Sequence, residues 1–172
     1  MARIYSEGNI RIRGKRENII RFLQHELVAV YKLEGDKDEE RPIRLEENCG
    51  GWTVILTRDP DTESLLYFKG SRDYWIETNH TETEILFTSK HDFRKDEIVC
   101  LENYEGPFKP NYEFWRKKAM EYKIDIRIFS WDDKKWSSAT TWYRNGMGDT
   151  TLQTYEDFFW NCPIPGYGEG YY

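Results

Sequence analysis

The chain has 172 residues, 31 Asp and Glu against 25 Lys and Arg, and a formal net charge of −6; that length predicts about one domain. Aromatic residues supply 16% of it, as 9 Phe, 7 Trp and 12 Tyr, and each buried ring removes about 150–250 Å² from water. A real core is within reach, which excludes a disordered tail, a collagen-like or low-complexity polymer and a coiled coil.

From the N-terminus, Asn9 to Gly14 alternates, with Ile10 and Ile12 on one side and Arg11 and Arg13 on the other. That is the period of a half-buried strand. After Gly14, the segment Arg16 to Leu27 predicts a helix, with Ile19, Ile20, Leu23 and Leu27 on one face and Arg16, Arg21, Gln24 and His25 left to solvent. Leu33 to Glu47 is charged and has no apolar period, so an exposed loop is expected. Trp52 to Thr57, Leu65 to Phe68, Tyr74 to Thr78, Glu84 to Thr88 and Ile98 to Leu101 are strand candidates, with turn chemistry at Asp59-Pro60-Asp61. Asn111 is a good N-cap for a second helix, and Glu113 sits where the helix dipole favours an anion. Trp115, Ala119 and Tyr122 form its apolar stripe, with Arg116, Lys117 and Lys118 alongside. Ile124, Ile126 and Ile128 then alternate with Asp125, Arg127 and Phe129 as a strand. Asp132 to Lys135 turns the chain into Trp136 to Tyr143, and Asn145-Gly146 turns it again.

Two helices, each beside an Ile-alternating strand, predict an α+β fold: a ferredoxin-like arrangement with two helices packed on one face of a mainly antiparallel sheet, with insertions. The expected organisation is one such domain over residues 1–146 and an aromatic-rich C-terminal extension over 147–172. The strand Ile10-Arg11-Ile12-Arg13-Gly14, the helix start Glu17-Asn18-Ile19, Tyr74-Trp75, Glu84 to Ser89, and Trp115-x-x-x-Ala119-x-x-Tyr122-x-Ile124 followed by Trp136-x-Ser138 together resemble the YubB-like ferredoxin-like domains of phages, plasmids and their bacterial hosts. The resemblance spans roughly residues 8–146. It implies a fold and a mobile-element origin, and it brings no catalytic residues.

No apolar run approaches the roughly 18 residues of a membrane-spanning helix, and the first residues lack the apolar stretch of a secretory signal, so a cytoplasmic protein without a membrane partner is expected. Cys49, Cys100 and Cys162 are odd in number and far apart, which favours free thiols over a disulfide framework. With His80 and His91 they form no short-spaced ligand pair, so neither a metal nor a cofactor is expected. Asp61, Asp132 and Asp133 loosely spell a metal-dependent hydrolase or nuclease, although each also fits an ordinary turn. His91-Asp92 with Asp96-Glu97 could supply a general base, but a polar hairpin accounts for them as well. No nucleophile elbow or phosphate-cradling glycine loop is present, so a catalytic residue set is not expected.

Two binding readings remain. Arg11, Arg13, Lys15 and Arg16, with an aromatic sheet face, could hold single-stranded nucleic acid, but a net charge of −6 repels phosphate at long range. Cross-strand partners such as Asp125 explain Arg11 and Arg13 equally well. The aromatic surplus crowds the C-terminal third, and Trp131, Trp136, Trp142, Tyr143, Phe159 and Trp160 are the candidates for a protein-binding surface; packing into a second small core is the alternative. The expected function is a non-enzymatic binding protein of a phage or other mobile element. Its partner would be a host protein or protein–nucleic-acid complex, and an inhibitor of a defence complex, anti-CRISPR-type or similar, would fit.

Overall fold

A computed structural model describes residues 5–33, 37–48, 51–55, 64–77, 82–87, 97–131 and 136–154. Over these residues it is an α+β protein, with two helices and antiparallel strand pairing. Strand β1 (Tyr5–Gly14) leads into helix α1 (Arg16–Glu26) and then directly into β2 (Leu27–Leu33). Strands β3 (Lys37–Pro42), β4 (Arg44–Asn48), β5 (Gly51–Ile55), β6 (Ser64–Phe68), β7 (Ser71–Glu77), β8 (Glu82–Phe87) and β9 (Glu97–Pro107) follow. Helix α2 (Tyr112–Tyr122) precedes β10 (Asp125–Trp131), β11 (Trp136–Trp142) and β12 (Gly148–Thr154).

The main path of the sheet runs β12-β11-β10-β1-β9-β7-β6-β2-β3. At β9 it forks, because Val99 and Cys100 pair with β8 while Tyr104 and Glu105 pair with β7. Beyond β8 the branch continues through β5 to β4. Strand β1 lies at the centre, antiparallel to both β10 and β9. Gly8 in β1 makes this pairing possible: an added Cβ would lie 1.8 Å from the Phe129 carbonyl oxygen.

The core forms on the face that the Ile alternation marks. Ile10, Ile12, Ile126 and Ile128 join Val99 and Leu101 of β9 in one buried cluster with Ile19, Phe22, Leu23, Trp115 and Ala119 of the helices. Within it Trp115 meets Phe68 and Tyr74 edge-on, with centroids 5.0 Å away in each case, a geometry the ring quadrupoles favour. The helices are also joined through polar groups. The Tyr122 hydroxyl is 2.5 Å from Glu26 Oε1, and Lys118 Nζ is 2.8 Å from Glu26 Oε2. Burial, then the hydrogen bond to Glu26, pushes the Tyr122 phenol above its usual range.

Three expectations change. The segment expected to be a charged loop contains β3 and β4. Strand β3 pairs with β2 from Val28↔Pro42 to Leu33↔Lys37, so backbone hydrogen bonds, which need no apolar period, hold a strand whose side chains are nearly all charged. Ile43, between the two strands, is buried in the main cluster. In α1 the buried residues are Ile19, Phe22, Leu23 and Glu26, while Ile20 is only half-buried. Finally, the sheet continues past residue 146, because β12 pairs with the whole of β11. Residues 155–172, the turn at 132–135 and the Asp59 to Asp61 turn lie outside the described residues.

Candidate functional site

Arg11 is the clearest correction to the nucleic-acid reading. On the second face of the sheet Arg127, Phe129 and Thr141 are buried, and Arg11 beside them is only 3% exposed. Arg11 sits opposite Arg127 in the β1–β10 register. Their guanidinium carbons lie 4.2 and 4.3 Å from the centre of the Phe129 ring, where its negative face offsets part of the cost of burying charge. Arg127 also donates from Nη1 to Thr141 Oγ1 at 2.6 Å.

Arg13 is committed to its cross-strand partner, the alternative that its sequence position allowed. Its Nε and Nη2 reach Asp125 Oδ2 at 3.0 and 2.9 Å. Arg144 completes the group: its backbone N–H and Nε donate to Asp125 Oδ1 at 2.9 and 3.1 Å, and its Nη2 donates to Oδ2 at 3.0 Å. Burial pushes the Asp125 carboxyl upward, but the hydrogen bonds from Arg144 and the charges of Arg144 and Arg13 outweigh it and hold the group below its usual range. Lys15 is exposed and Arg16 half-buried at the start of α1. Of the four residues grouped by sequence, the structure therefore leaves only Lys15 fully in solvent.

The aromatic candidates also separate. Trp142 is fully buried, packed against Trp115 at 6.3 Å, so it belongs to the core and is withdrawn from the surface set. Tyr143 is half-buried in the turn after β11. Trp131 ends β10 and Trp136 begins β11, with side chains outside the described residues, as Phe159 and Trp160 are entirely. Asp61, Asp132, Asp133, His91, Asp92, Asp96, Cys49 and Cys162 lie outside them too, and Cys100 is placed as a β9 residue in register with Arg11. Among the described residues no three His, Cys, Asp or Glu side chains converge as a metal site.

Among the described residues, the exposed large apolar side chains lie on α2 and the turn beside it. Asn111 caps α2 by accepting from the Phe114 N–H at 3.1 Å, and its own N–H donates to the Tyr74 hydroxyl. This anchoring turns Trp115, Ala119 and Tyr122 inward. Tyr112, Arg116 and Met120 are spaced i, i+4 and i+8, so they form one stripe on the outer side. Tyr112 is 40% and Met120 41% exposed, and Met147, in the turn after β11, is 66% exposed.

The turn is held against this stripe. Tyr143 N–H donates to Met147 O at 2.8 Å, Gly146 N–H to Tyr143 O at 2.9 Å, and Arg116 Nε to Gly146 O at 3.1 Å. Gly146 adopts a φ of 88°, in the left-handed region that glycine enters without strain. A Cβ on it would lie 2.9 Å from Met120 Sδ, and one on Gly148 would lie 2.0 Å from the Tyr112 hydroxyl. Tyr112, Arg116, Met120 and the Met147 turn are therefore one surface. Tyr, Met and Arg are the side chains enriched at protein interfaces, and Met adapts its shape to a partner.

Sequence reasoning missed this surface because it followed the apolar stripe of α2. The available signal was an apolar pair, Tyr112 and Met120, two turns apart on the opposite side. No protein-family model matches the chain, and comparison with curated proteins and with solved structures finds no match.

Proposed function

We propose that the chain is a non-enzymatic binding protein that docks on another protein through Tyr112, Arg116, Met120 and Met147. The observation that carries this reading is the convergence of exposed Tyr112, Met120 and Met147 around Arg116, pinned by the Arg116–Gly146 hydrogen bond. Such a patch offers adaptable apolar area around a central cation, the composition from which binding hot spots are built. The net charge of −6 adds long-range attraction toward basic partners, such as the nucleic-acid-handling complexes of a bacterial host.

We read the fold as ferredoxin-like with insertions. Strands β10, β1 and β9 lie side by side, and β2 follows after the inserted β7 and β6, while α1 and α2 connect β1 to β2 and β9 to β10. Together with the resemblance to YubB-like domains, this supports a phage or mobile-element protein acting in the host cytoplasm, with a defence complex as the target.

The test is affinity capture from host lysate with the full chain as bait, beside Met147→Glu. Because Met147 is so exposed, the variant should keep its circular dichroism spectrum and melting temperature. A host protein retained by the wild type and lost with Met147→Glu is the expected result. Equal recovery by both baits removes the patch from the reading.

A further inference from the structure

The strands at the two ends of the main sheet path differ in sequence. Strand β3 at one end reads Lys37-Asp38-Glu39-Glu40-Arg41-Pro42, a row of charges closed by a proline. Those are the devices by which natural edge strands resist further pairing. Strand β12 at the other end reads Gly148-Asp149-Thr150-Thr151-Leu152-Gln153-Thr154, with a single charge and no proline. Among the described residues nothing pairs with its outer edge.

The helix layer reaches β12 at Gly148, where Tyr112 lies, and leaves Thr150 exposed. Thr140 of β11 is buried, while Thr150 beside it, with hydroxyls 3.2 Å apart, is exposed. An edge strand presents backbone N–H and C=O groups as a template for one more strand.

We propose that β12 pairs antiparallel with β12 of a second copy of the chain, giving a two-fold dimer with one continuous sheet. The strand is complementary to itself. Centred on Thr151, the pairing sets Gly148 opposite Thr154, Asp149 opposite Gln153, Thr150 opposite Leu152, and Thr151 opposite its own counterpart. The only charge on the strand therefore never meets its like, and a threonine pair, a favourable cross-strand combination, sits on the axis. A two-fold contact of this kind closes on itself, so association stops at two copies.

The pairing stands independently of what the α2 surface binds, but it has a consequence for that surface. Gly148, beside Tyr112, begins the seven-residue strand. Antiparallel pairing thus places the two α2 surfaces on the same side of the joined sheet, with their Gly148 residues about 20 Å apart along the strands. A dimer would engage a repeated partner at two points.

Sedimentation equilibrium of the full chain across the micromolar range tests the proposal. The wild type is expected to approach twice the 20.8 kDa of one chain. Thr151→Lys and Thr151→Glu each place like charges opposite one another on the axis, and each alone should return to the mass of one chain. An equimolar mixture of the two should restore the dimer, a rescue that a variant failing to fold could not give. A wild type that stays at one chain, a dimer that survives both substitutions, or a mixture that stays monomeric would each overturn the assignment.

Discussion

On the helix side of β1 and β10, Ile10, Ile12, Ile126 and Ile128 meet Phe22, Leu23, Trp115 and Ala119. On the other side the same two strands bury Arg11, Arg127, Asp125 and Phe129, each no more than 5% exposed. Both sides exclude water, but their energetics differ. The apolar side stabilises in proportion to the area it removes from water. The charged side gives little net gain, because each ion loses its hydration and must recover it from a ring face or an opposite charge. What the charged side supplies is selectivity of register. Sliding β1 by one residue against β10 would take Arg13 from Asp125 and turn every side chain to the wrong face. One face of the sheet gives stability, and the other makes the alternatives costly.

The largest effect should come from the apolar side. Trp115→Ala removes a fully buried indole that contacts Phe68, Tyr74 and Trp142, and urea denaturation should show a loss of about 4 kcal/mol. On the charged side, Asp125→Asn keeps the shape but takes the negative charge from between Arg13 and Arg144. The expected loss is about 2 kcal/mol at pH 7, below the range for fully buried pairs because Arg144 is partly solvated. Its pH dependence identifies the cause. The folded carboxyl lies below its ordinary value of 3.8, so its stabilisation is complete above that value and is lost as pH falls through the depressed one. The gap between wild type and Asp125→Asn should stay constant from pH 7 to about pH 5, narrow as pH falls past 3.8, and close once pH has passed the depressed value of the folded carboxyl. A gap that persists undiminished in acid would mean that packing, not charge, holds this corner.

The same contrast explains what the residues reveal before folding. The apolar side was legible because Ile10, Ile12, Ile124, Ile126 and Ile128 announce both the period and the face, and Asn111 and Glu113 mark the start of α2. The charged side was not. Alternation of Ile with Arg says that the two types point in opposite directions, and it is silent on whether the second direction is covered. Arg11 therefore looked like a solvent-facing cation. Strand β3 escaped notice because its order comes from backbone pairing with β2. The surface formed by Tyr112, Arg116, Met120 and Met147 joins residues separated by a strand hairpin, and only the Gly146 turn folding back onto α2 brings them together.

The smallest effect gives the finest test of the difference between the faces. Thr141 is 3% exposed, lies opposite Arg127 in the β10–β11 register, and accepts from its Nη1. Thr141→Val exchanges the hydroxyl for a methyl of similar size, so little packing is lost. If this face is held by matched polar groups, losing an acceptor for a buried guanidinium should cost about 1.5 kcal/mol in urea denaturation. The same exchange at Thr150, whose side chain is exposed, lets water take the place of its hydroxyl beside Thr140 and should change stability by less than about 0.5 kcal/mol. Equal effects at the two positions would mean that the Arg127–Thr141 hydrogen bond adds nothing measurable to the stability of this face.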